Sequence, residues 1–106
     1  MDTRTLEALR DSIAKWEKIA LGTGADYRDS NCPLCQLFSS PGSLDCGGCP
    51  VKLKTGYDQC LDSPFIEWAT LPSIRLKLCR RAETPEEIAA AQAEVDFLRS
   101  LLPENR

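Results

Sequence analysis

The stretch TPEEIAAAQAEVDFLRSLL, residues 84–102, decides the fold. Thr84 is a preferred N-cap, Pro85 suits the first helical position where its missing N–H costs nothing, and Glu87 stands where a capping box needs a carboxylate. Ile88, Ala91, Val95, Leu98 and Leu102 then recur at spacings of 3, 4, 3 and 4 up to Pro103, the pattern of one buried helix face. Ala89, Ala90, Ala91 and Ala93 are small enough to let a partner helix approach closely. Phe97 and Leu101 widen the apolar face, so more than one neighbour is expected to pack there.

The other end of the chain repeats the device. Leu6, Leu9, Ile13, Trp16 and Ala20 are again spaced 3, 4, 3 and 4, with Ile19 broadening the stripe. Asp2 or Thr3 can cap the start, and Gly22 supplies the left-handed residue that commonly closes a helix. Two long terminal helices, over 3–21 and 84–102, are therefore predicted to pack together within one chain, or as half of a bundle completed by a homodimer. A chain of 106 residues is one domain by length, residues 1–106.

The two segments between them read differently. Residues 22–62 are rich in Gly, Pro, Ser and Asp and poor in large apolar side chains, so they cannot bury enough surface to offset their ordering entropy. Turns or short strands are expected there, held by something other than a core. Residues 63–82 read as a short broken helix: Ser63-Pro64 starts it, Pro72 interrupts it, and Ser73 restarts it through Arg80, Arg81 and Ala82. The alternation of Ile74, Leu76 and Leu78 with Arg75 and Lys77 would also suit a strand, but helix is favoured. The fold class is thus mainly α, with a possible third helix beside the terminal pair.

The staple is legible in the cysteines. Cys32-Pro33-Leu34-Cys35 and Cys46-Gly47-Gly48-Cys49 are separated by ten residues, and Cys60 follows Cys49 after another ten. Each CxxC turn can aim two sulfurs at one point, so two turns supply the four thiolates of a tetrahedral zinc site. Five cysteines compete for four positions: Cys32, Cys35 and Cys49 are the preferred ligands, and Cys46 and Cys60 contend for the fourth. A structural Zn2+ contributes about 10 to 16 kcal/mol of apparent binding free energy in small peptides, enough to order such a loop. An iron-sulfur cluster is the alternative cofactor, because the spacing differs from the compact ferredoxin run without excluding a cluster. Cys79, beside Leu76, reads as a buried core thiol.

Composition narrows the chemistry. The chain has no histidine, which removes the commonest general base and the usual ligand of catalytic zinc, and an all-thiolate site is closed. No enzymatic role is predicted. The Met1-Asp2-Thr3-Arg4 start lacks a signal-peptide pattern, and no run approaches the roughly 18 apolar residues of a membrane span, so a cytoplasmic protein without membrane partners is expected. In that reducing compartment, paired cysteines mean metal or thiols rather than bridges. The formal net charge of −3 argues against a general nucleic-acid binder, and a four-thiolate zinc site makes it more negative. A local basic set, Lys52, Lys54, Arg75, Lys77, Arg80 and Arg81, keeps nucleic-acid binding as the second functional class.

Trp16 and Ile19 before a glycine, the CPLC turn at 32–35, Cys46 through Cys49-Pro50-Val51, Gly56, Cys60, and Ser63-Pro64-Phe65 with Trp68 resemble small cysteine-rich proteins of bacteriophages and prophages. The likeness covers residues 16–68. It implies that Cys60 sits near the metal, that Phe65 and Trp68 pack over it, and that the protein binds a host or phage assembly in the host cytoplasm. An inhibitor of a bacterial defence complex is the sharpest form of that expectation. The resemblance carries no reaction, so a zinc-stabilised protein-interaction module is the leading functional expectation.

Overall fold

The computed structural model describes residues 3–27, 31–38, 49–57, 63–76 and 80–103. Six helices form among them: α1 (Thr3–Ala20), α2 (Pro33–Phe38), α3 (Pro50–Thr55), α4 (Pro64–Thr70), α5 (Pro72–Arg75) and α6 (Pro85–Ser100). The architecture is mainly α, and the packing of α1 on α6 is its principal contact. The periodic stripes of the two helices meet. Leu9, Ile13, Trp16 and Ile19 of α1 and Ala91, Val95 and Leu98 of α6 are buried in one core, with Leu101 and Leu102 closing it beyond α6. Each fully buried Leu or Ile contributes about 1.5 to 3 kcal/mol, so this face carries the stability of the pair. Arg99 donates to Glu17 across the exposed edge at 2.6 Å, a contact worth little in water.

The capping box forms as its residues require. The Glu87 N–H donates to Thr84 Oγ1 at 3.2 Å, while Glu87 Oε1 accepts from the N–H groups of Thr84 and Glu83 at 3.0 and 2.7 Å. This inward turn changes only the first position of the expected seam. Glu87 is buried, and Ile88, assigned to the seam by its hydrophobicity, is 42 % exposed. The first helix ends at Ala20, with Leu21 already in an exposed turn. Gly22 takes φ 82°, and the N–H groups of Thr23 and Gly24 both reach back to the Lys18 carbonyl, satisfying the helix end.

The middle of the chain departs further from the reading of turns and strands. Two short helices form there, α2 and α3, each with proline at its first position directly after a cysteine. Helix α2 packs on α1 through buried Leu34, and α4 packs on α6. Trp68 of α4 is fully buried, and Trp16 meets it edge-on at 5.4 Å and Phe65 at 6.0 Å. The two rings thus join the α1 core.

The broken helix is shorter than residues 63–82. It kinks at Leu71 and stops at Arg75, and Arg80 is extended rather than helical, forming an isolated antiparallel bridge with Asp26. The cause lies in side chains. Asp26 is buried after α1, where its carboxylate takes Lys15 Nζ at 2.9 Å and Trp68 Nε1 at 3.1 Å and lies 3.7 Å from Arg80. A buried carboxylate needs such partners, and drawing Arg80 to it outweighs one more helical turn. Cys79 and Lys77 lie outside the described residues, as does the Asp2 cap.

Candidate metal centre

The first CxxC turn is seated on the helix frame. Asn31 prepares it: its Nδ2 donates to the Ala25 carbonyl and its Oδ1 accepts from Tyr27 N–H, both at 2.9 Å, so one side chain holds the loop after α1. Pro33 then starts α2, Leu34 is buried against the core, and the Cys35 N–H donates to Cys32 Sγ at 3.2 Å. The Cys35 side chain also bonds Cys32, and these contacts, with the Lys15 charge nearby, lower the Cys32 thiol to about 7 although burial pushes the other way. A metal ligand must be a thiolate, and a backbone N–H on the sulfur is the usual outer contact of one. The turn therefore fits one half of a tetrahedral sulfur site.

Cys49 occupies a different setting. It is buried, extended at φ −62° and ψ 131°, and caps α3 ahead of Pro50, while its carbonyl accepts from Leu53 N–H at 2.9 Å. Pro50 has no N–H to give a sulfur and here begins a helix. Cys32, Cys35 and Cys49 carry no disulfide. Among the described residues no three of His, Cys, Asp and Glu gather closely enough to hold a metal ion. Cys32 and Cys35 come together; Cys46 and Cys60, the contenders for the remaining position, lie outside the described residues.

A buried acid that the sequence did not mark stands in the same neighbourhood. Glu94 of α6 is 4 % exposed, and burial, with the Cys32 and Asp26 charges adding and Lys15 opposing, pushes its carboxyl up to about 8. Lys15 itself lies over the Trp16 ring at 5.1 Å while bonding Asp26. Its alternation of roles explains how a lysine sits only one-tenth exposed on an otherwise apolar face.

The basic set fares unevenly. Arg80, a candidate nucleic-acid contact, is buried against Asp26 and therefore leaves that set; its charge neutralises an interior carboxylate. Lys54, Arg75 and Arg81 are exposed, Lys52 is half-buried, and Lys77 is outside the described residues. Beside the lysines, α3 turns apolar groups outward: Leu53 is 75 % exposed and Tyr57, just past the Gly56 cap, 54 %. Comparison with known protein families, curated proteins and solved structures finds no match to the chain. None of the described helices is long and apolar enough to cross a membrane.

Proposed function

We propose that this chain is a non-enzymatic, zinc-stabilised helical module that binds another protein. The observation that supports it most is the Cys32–Cys35 turn, which is seated on α1 by Leu34 and already directs an N–H to the Cys32 sulfur. Zinc would be held by Cys32 and Cys35 with Cys49 and one of Cys46 or Cys60, and when bound it supplies a crosslink rather than a reaction. The chain's own residues do the rest: Asn31 orients the turn, Pro33 and Pro50 launch the two short helices, and Leu53 of α3 with Tyr57 just beyond it face a partner. Exposed apolar side chains beside lysines are the ingredients of a binding patch. The resemblance to phage and prophage proteins points to a host protein or complex, including a defence complex, as that partner.

Native mass spectrometry with elemental analysis tests this reading. One zinc per chain, lost in Cys32→Ser and Cys35→Ser variants, is the expected result, and the same spectrum reports subunit number. Iron with sulfide would replace zinc by a cluster; a metal-free wild type prepared without chelators would overturn the reading. Nucleic-acid binding through Lys54, Arg75 and Arg81 remains the second reading, favoured by their exposure. It requires an affinity for oligonucleotides that falls steeply with salt and with Arg81→Glu; salt-insensitive or absent binding dismisses it.

A further inference from the structure

The surface of the described residues carries a knob and a groove that complement each other. The knob is α3, where Leu53 is 75 % exposed, Lys54 beside it is exposed, and residues 50–57 hold two lysines and no acid. Tyr57, past the Gly56 cap, extends its apolar part. A single exposed leucine needs no explanation, but this one stands between two lysines on a chain of net charge −3, a local reversal of sign.

The groove lies between α1 and α2 and has a volume of about 300 Å³. Ala8, Pro33 and Leu37 give it apolar walls, while Glu7 and Asp11, one helical turn apart on α1, give it two carboxylates against the single cation of Arg4. Its volume is that of about ten waters, room for a leucine side chain and the stem of a lysine. Glu7, Asp11 and Lys54 are all exposed and form no ion pair among the described residues. We propose that a second copy of this chain docks in the groove, with Leu53 entering between α1 and α2 and Lys54 pairing with Glu7 and Asp11. Because every copy carries both features, two such contacts close a twofold pair. Each contact is small, so the pair is transient and forms at high protein concentration. The inference rests on the protein-binding reading above and names a second copy as what covers α3 in the free protein, where a host protein would compete with it.

Sedimentation velocity over a concentration series, with the folding of every variant checked by circular dichroism, tests the docking. Wild type should pass from monomer to dimer as concentration rises, and added salt should weaken that shift. Leu53→Ala, Lys54→Glu and the Glu7→Lys/Asp11→Lys double variant should each dimerise at least about 10-fold more weakly. Mixing Lys54→Glu with Glu7→Lys/Asp11→Lys should restore association, because the reversed charges pair again in both contacts. A wild type that stays monomeric up to about 1 mM, variants that dimerise like wild type, or a mixture that stays monomeric overturns the docking. Each of these results leaves the zinc-stabilised module standing, which fails instead on a metal-free wild type in the mass spectrum.

Discussion

The α1–α6 pair and helix α3 are held by different physics. Along α1 and α6 a residue goes into a shared core every three or four positions, and the caps at both Gly22 and Thr84 satisfy the exposed backbone ends. Helix α3 has six residues, with Cys49 before it and Pro50 and Val51 at its start buried, and with Leu53 and, past its Gly56 cap, Tyr57 turned to solvent. A six-residue helix is far too short to persist on its own propensity. Apolar burial thus specifies the frame along its whole length, whereas α3 is buried only where its chain enters the helix, and on the proposed reading a metal crosslink there would supply what the core does not. Helices α2 and α4 stand between the two cases, since Leu34 and Trp68 anchor them in the frame's core.

Truncating Trp68 to alanine breaks the frame most severely: it empties a fully buried ring site and removes the indole N–H from the Asp26 carboxylate, at a cost of about 3 to 5 kcal/mol read by urea unfolding. Asp26→Ala comes next, about 3 kcal/mol, because Lys15 and Arg80 lose the carboxylate that neutralises them in the interior. A smaller loss in Asp26→Ala than in an exposed-pair variant such as Arg99→Ala would show that the buried cluster is not a fold determinant. Thr84→Ala should cost about 1 kcal/mol by thermal melting, since it removes one of the two reciprocal cap bonds. Leu53→Ala closes the order, with a stability change within about 0.5 kcal/mol, as its side chain is largely in water. A large destabilisation by Leu53→Ala would place α3 in a core and erase the contrast.

How much of this was readable follows the same division. The two long helices announce themselves through 3-4 spacing and, at Thr84-Pro85, through cap chemistry that needs no tertiary partner. The starts of α2 and α3 carry the same proline signal as α4 and α6, but the cysteines before Pro33 and Pro50 point first to metal ligation, and the helix signal is hidden behind it. Glu87 and Glu94 defeat a hydrophobicity rule because both are buried, Glu87 by turning inward to cap its helix. Asp26 stands in a glycine-bearing stretch, and its partner Trp68 is 42 residues away, a long-range pairing that no local pattern encodes. The Cys32–Cys35 turn, by contrast, was legible because its two sulfurs are near each other in sequence.

On the proposed function, metal orders the cysteine-flanked segment while the helix pair stands without it. Hydrogen exchange of the zinc-loaded and chelator-treated protein, read by mass spectrometry, addresses this most directly. Chelation should accelerate exchange in peptides covering Cys32–Phe38 and Pro50–Thr55 and leave the middle turns of Thr3–Ala20 and Pro85–Ser100 protected. Unchanged protection of both short helices after verified zinc removal, or simultaneous loss of protection in α1 and α6, would contradict it.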